Sequence, residues 1–89
     1  MSNDPYALFG DSLIASARSG MIIVPHATQD LEKVTKAIYV GTGGDLTVRL
    51  VDAEQDLVFR NLASGSILDV RASAVRVTGT TAADLVGLL

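Results

Sequence analysis

The sequence predicts a small all-β domain, a jelly-roll-like β-sandwich or barrel of six to seven short strands with an N-terminal arm. Short runs rich in β-branched and aromatic residues recur along the chain. Polar or glycine-containing turns separate these runs about every ten residues, a spacing typical of sandwiches and small barrels. A length of 89 residues is enough for one such domain.

The clearest strand signal is the pair of runs at 36–40 and 46–50. The segment Gly41-Thr42-Gly43-Gly44-Asp45 separates them, and glycines with an acidic residue between two such runs predict a β-hairpin. A Walker phosphate loop would need a lysine and then a helix after its last glycine, whereas Asp45 and a strand follow here. We therefore interpret the glycines as a turn.

The remaining runs predict further short strands. We expect them at 21–24, 57–62, 67–70, 74–77 and 84–89, with a bend or bulge near 72–73 and one helical turn at 31–33. Side chains alternate between the two faces of a strand, so Leu46, Val48 and Leu50 should share one face. By the same alternation, Tyr39 should face solvent.

The first 20 residues differ in composition and predict an N-terminal arm (residues 1–20) ahead of a β domain at 21–89. Helices that Asp4-Pro5 and Asp11 could open would be too short to be stable alone, so the arm needs a surface to lie on. We expect a neighbouring subunit to provide that surface; its own domain is the alternative. The expected apolar anchors are Tyr6, Leu8, Phe9, Leu13 and Ile14.

The composition favours assembly with other proteins. Hydrophobic residues make up 48% of the chain, mean hydropathy is +0.38, and there is no cysteine. A chain this short buries only about 60% of its unfolded surface, so oligomerisation is the usual source of extra stability when disulfides are excluded. No apolar run approaches the roughly 20 residues that a membrane helix needs, so we expect a homo-oligomer and no membrane partner.

The charged and aromatic residues do not predict a catalytic, metal or nucleic-acid site. The net charge is −3, the arginines are scattered among acidic residues, and tryptophan is absent, so we expect no nucleic-acid partner. His26 is the single histidine, and a calcium loop is excluded because Leu57 stands where the loop needs a glycine. We expect no enzyme activity, metal or cofactor.

Arginines on the predicted strands and acidic residues on the following turn form a second candidate site. They are Arg49, Arg60, Arg71, Arg76, Asp52 and Asp56. One interpretation is a solvated outer face. The other is a set of ion pairs between subunits, because the forked guanidinium group suits protein interfaces.

Several short motifs then point to a family. They are Asp4-Pro5-Tyr6, Val24-Pro25, Ala37-Ile38-Tyr39-Val40-Gly41, Gly44-Asp45, Phe59-Arg60-Asn61, Gly65, Leu68, Val70-Arg71, Thr78-Gly79-Thr80-Thr81-Ala82 and Leu85-Val86. In this order they resemble the spike base proteins of tailed bacteriophages and of phage-like gene transfer agents, over nearly the whole chain. Asp69 departs from the proline that this family often has after the leucine, so the bend there can differ in shape.

The resemblance implies a structural virion protein, the head spike base. Such a protein would form a homo-oligomeric ring, with a pentamer favoured, on a capsid vertex at the outer surface of the head. It would bind capsid protein below and a receptor-binding spike or fibre above, after assembly in the bacterial cytoplasm. Two alternatives are a tail or baseplate adaptor with three- or six-fold symmetry, and a small carbohydrate-binding module for host capsule that uses Tyr39.

Overall fold

A computed structural model describes residues 17–89 of the chain. These residues form seven strands: β1 (Gly20–Ile23), β2 (Ala37–Thr42), β3 (Gly44–Leu50), β4 (Leu57–Leu62), β5 (Ser66–Leu68), β6 (Ala72–Arg76) and β7 (Ala83–Leu88). A four-stranded antiparallel sheet has the order β1-β7-β2-β5, and a three-stranded antiparallel sheet has the order β4-β3-β6. The predicted small all-β sandwich is confirmed.

The hydrophobic core lies between the two sheets and is built by alternation along the strands. Its main members are Ile23, Ile38, Val40, Leu46, Val48, Ala72, Val75, Ala82 and Leu85. Leu46 and Val48 are completely buried, and Leu50 is partly buried against the same core, as the alternation predicted. Tyr39 points away from the core and is 39% exposed, which also agrees with the prediction.

The predicted hairpin between β2 and β3 is wrong. The two strands belong to different sheets, and the chain crosses between the sheets at Gly43. Gly43 allows close packing instead of forming a hairpin turn, because a Cβ atom at this position would collide with the carbonyl oxygen of Leu62. The Gly43 N–H also donates to Ser64 Oγ at 2.8 Å. Glycine at a sheet-switching corner is a recurrent feature of small sandwiches.

Asp45 fixes the chain directly after this crossing. Its N–H donates to Thr81 Oγ1 at 2.8 Å, and its carbonyl accepts from the N–H groups of Thr81 and Ala82 at 2.8 and 3.0 Å. Its carboxylate accepts from the N–H of Asn61 at 3.0 Å and from Arg60 Nη1 at 3.2 Å. Asn61 has a φ of 57° at an irregularity in the β3–β4 register, so the carboxylate satisfies a backbone group at that β-bulge.

Most other connections also cross between the sheets. The crossings are at 63–65 between β4 and β5, at 69–71 between β5 and β6, and at 77–82 between β6 and β7. Among the described strands, only β3 and β4 are both consecutive and paired. The predicted division of 66–78 into two strands is confirmed, although the break comes at 69–71. Ala72 and Ala74 pair with consecutive residues of β3 and leave Ser73 without a partner, so the predicted bulge near 72–73 is also confirmed.

The segment 24–36 covers the free edge of β6. The N–H groups of His26, Leu31 and Thr35 donate to the carbonyls of Val75, Ser73 and Ala72 at 3.0, 2.8 and 3.1 Å. The helical turn predicted at 31–33 is wrong, because this stretch forms bends that follow the strand edge. An edge strand covered in this way is protected from pairing with other chains.

Thr35 ties the covering segment to the core side of β6. Its side chain is fully buried, and its Oγ1 donates to the Val70 carbonyl at 3.1 Å while accepting from the Ala72 N–H at 3.0 Å. The hydroxyl therefore satisfies two backbone groups at the start of β6.

Backbone hydrogen bonds continue the pairing of β1 with β7 before Gly20. Arg18 N–H donates to the Leu89 carbonyl and Leu89 N–H donates to the Ser19 carbonyl, both at 2.9 Å, which extends the β1–β7 ladder. The predicted apolar anchors of the N-terminal arm lie outside the described residues, as do its predicted helices up to residue 16. Residues 17–20, where the second helix was expected to end, are not helical.

We expect Thr35→Val to lower the free energy of unfolding by about 1–3 kcal/mol, because it leaves the buried Ala72 N–H without an acceptor. Urea denaturation measures the change. Thr35→Ser keeps the hydroxyl but deletes a buried methyl group, so it should lose about 1 kcal/mol and less than Thr35→Val. Thr78→Val changes an exposed threonine and should stay close to wild type. Equal stability of Thr35→Val and wild type would contradict this role.

We expect Asp45→Ala to destabilise the protein by about 1–2 kcal/mol, because the Asn61 N–H and Arg60 both lose a charged acceptor. The matched control is Asp52→Ala, at an exposed position in the β3–β4 loop, where a change within about 0.5 kcal/mol is expected. Thermal or urea unfolding of both variants makes the comparison, and equal losses would remove the special role of Asp45.

Candidate interaction surfaces

The outer face of the four-stranded sheet carries an apolar row, defined as Ile22, Val86, Tyr39 and Ile67. These residues lie opposite one another in register, one on each of β1, β7, β2 and β5. Ile22 is 82% exposed and Ile67 is 60% exposed, while Val86 is partly buried between its neighbours. Apolar side chains therefore cross the complete width of the sheet.

Such a row is unusual on a surface that stays in water. Single exposed apolar residues are normal, but a contiguous patch typically marks a site of protein interaction. Val24, just beyond the end of β1, is 74% exposed and adds to the apolar character near Ile22. The row is therefore the strongest candidate for a binding surface in the described part of the chain.

The outer face of the three-stranded sheet has a different, charged character. Arg49 Nε lies 3.0 Å from Asp56 Oδ1, and Arg76 Nε lies 3.6 Å from the same oxygen. Arg76 Nη2 is also 3.5 Å from Asp30 Oδ1. Through these ion pairs, the guanidinium group of Arg76 joins β6 to the β3–β4 loop and to the covering segment 24–36. The Arg76 side chain is only 12% exposed.

The structure divides the predicted arginines and acids into two groups. Arg49, Arg76 and Asp56 pair within the chain, and Arg60 pairs with Asp45 at 3.2 Å. Asp52 and Arg71 are exposed and form no ion pair with any other residue of the range 17–89. Their loops are adjacent, since the Val51 N–H donates to the Arg71 carbonyl at 2.9 Å.

His26 has a structural role in the covering segment. Its Nδ1 accepts from the N–H groups of Thr28 and Gln29 at 3.1 and 2.9 Å, which caps the turn after Pro25. Within residues 17–89, no group of three or more histidine, cysteine or acidic side chains is arranged to hold a metal ion. That same range has no helix with the length and apolar character needed to span a membrane.

Arg76→Met should lower the free energy of unfolding by about 1–2 kcal/mol, since it removes a nearly buried cation from two carboxylates and keeps most of the apolar stem. Arg60→Met is the matched control, because that side chain is 73% exposed and its ion pair should contribute at most about 1 kcal/mol. Chemical denaturation at low and high salt measures both. A larger loss for Arg60→Met would contradict this ranking.

A comparison with solved structures identifies the family of the chain. The chain is similar to a protein chain in the structure described as the capsid of a native GTA particle computed with C5 symmetry, GTA denoting a gene transfer agent. The sequence identity is 34%, the TM-score is 0.77, and the match covers 97% of this chain and 99% of the other. No protein-family model matches the chain, and no curated protein is similar in sequence. At this identity and coverage, the chain belongs to the same family as that structural component of the gene transfer agent capsid.

Proposed function

We propose that this protein is the head spike base of a gene transfer agent or tailed bacteriophage. In this role it forms a five-fold ring on a capsid vertex, at the outer surface of the head. Capsid protein binds one side of the ring, and a receptor-binding spike or fibre binds the other. The protein acts as a structural adaptor and not as an enzyme.

The observation that carries this proposal is the 34% identity, over nearly the full length, to a chain of a capsid structure computed with C5 symmetry. Five copies around a vertex make heterologous contacts, in which one surface of each subunit meets a different surface of the next. The family resemblance of the sequence supports the same position on the particle. Both point to the head rather than to the tail.

The surfaces of the domain also support a ring. An apolar row on one sheet provides a face for a protein partner, and Asp52 with Arg71 provides charged groups that residues 17–89 do not pair internally. The N-terminal arm supplies further apolar anchors from the sequence. A small subunit with surplus apolar residues gains stability by burying them against neighbours.

A carbohydrate-binding role receives less support from the position of Tyr39. Its neighbours on the sheet face are the aliphatic side chains of Val86 and Ile67, directly opposite in register. Recognition of sugars needs polar groups beside the aromatic ring to bind the hydroxyls, and this row presents apolar side chains instead. The row therefore suits a protein partner better.

We expect that deleting the gene in the producing bacterium gives particles with normal heads and tails but without vertex spikes. Electron microscopy of purified particles measures this directly. Wild-type protein supplied in trans should restore the spikes, and antibody labelling of an added tag should decorate the head. Intact spikes, or defects confined to the tail or baseplate, would contradict the proposed position.

We expect the full chain to assemble as a pentamer in native mass spectrometry. In a variant lacking residues 2–16, the affinity between subunits should fall at least about tenfold, because the five apolar anchors are removed. The deletion retains Arg18 and Ser19, which extend the β1–β7 ladder, so the sandwich itself should fold. Circular dichroism is the control for folding. Trimers or hexamers would instead favour the tail adaptor.

A further inference from the structure

We propose that the N-terminal arm of one subunit lies across the apolar row of the next subunit in the ring. This inference rests on the proposed function and names the surface that receives the arm. The acceptor is the row formed by Ile22, Val86, Tyr39 and Ile67 on the outer face of the four-stranded sheet. The occupant is the stretch 6–14 of a second copy of this chain.

The first argument is chemical fit. The stretch 6–14 contains five large apolar residues and one acidic residue, Asp11. The row that would receive it is apolar across all four strands, and its end residues Ile22 and Ile67 are the most exposed of its members. An apolar segment meeting an apolar row removes both from water, which is the main driving force of association.

The second argument is size. Neighbouring strands lie about 4.8 Å apart, so a row across four strands is about 14 Å wide between its end strands. The stretch 6–14 has nine residues, and nine extended residues reach about 30 Å. The segment is therefore long enough to contact every member of the row and to continue beyond it.

The third argument is the position at which the described chain begins. Arg18 and Ser19 are hydrogen-bonded to Leu89 at the end of the β1–β7 ladder, with a bend at Arg18. Arg18 is four residues before Ile22, about 13 Å along the strand. The described chain therefore begins at the end of the sheet, away from its own row.

This position favours exchange between subunits. An arm that covered its own row would have to return over that distance along the same sheet. The row of a second copy does not impose this constraint. The arm and the row are then the two different surfaces that a heterologous contact requires.

The test places a photo-crosslinking amino acid, p-benzoylphenylalanine, at Phe9 of the full chain. Unlabelled subunits carrying this residue are mixed with ¹⁵N-labelled wild-type subunits, and the crosslinked peptides are identified by mass spectrometry. The expected result is crosslinks from the unlabelled arm to labelled peptides that contain Ile22, Tyr39, Ile67 or Val86. Crosslinks only within one chain, or only to the three-stranded sheet, would overturn the inference.

Substitutions in the row provide a second measurement. Ile22→Asp and Ile67→Asp change highly exposed side chains, so folding should be unaffected, and each should raise the concentration for half-dissociation of the assembly at least tenfold. The control is Val58→Asp, which places the same charge on an exposed residue of β4, on the other sheet. Equal weakening by Val58→Asp, or no weakening by either row variant, would also overturn the inference.

The two proposals fail in different ways. If the protein is found on vertex spikes but the arm crosslinks elsewhere, the assignment of the arm to the row is wrong while the proposed function stands. If the arm crosslinks to the row of a neighbour but spikes persist on particles without the gene, the proposed function is wrong and the contact stands. A full chain that remains monomeric with only same-chain crosslinks overturns the arm exchange.

Discussion

The crossing of the chain between the two sheets depends on the hydrogen bonds of Asp45. Its backbone holds the β6–β7 connection through Thr81 and Ala82, and its carboxylate holds the bulge of β4 at Asn61. Three segments distant in sequence therefore meet at one residue, next to a glycine that no larger residue can replace without a collision. The position of β2 in one sheet and of β3 in the other follows from this corner.

The sequence was sufficient to predict the strands but not their partners. Alternation located β3 and β4 and the exposure of Tyr39, because the period of two is a local property of each strand. Pairing depends on contacts with distant residues: the same glycines suit a hairpin or a crossing, and only the approach of Leu62 and Ser64 to Gly43 distinguishes them. The prediction at 36–50 failed for this reason.

For the candidate surfaces too, the sequence predicted residues but not the residues that they contact. The sequence drew attention to the arginines, but the acids that pair with Arg76 and Arg60 include Asp30 and Asp45, which local reasoning did not select. The apolar row could not be read from any single strand. Its signal was an apolar residue on the outward position of each strand, and only the register of four strands shows that these residues are aligned.

The position of β7 determines when the larger sheet can form during synthesis of the protein. This strand, at residues 83–88, lies between β1 and β2 and supplies Val86 to the middle of the apolar row. A nascent chain on the ribosome can pair β3 with β4 early, but its larger sheet has a gap until β7 emerges. A chain without β7 therefore presents no continuous apolar row.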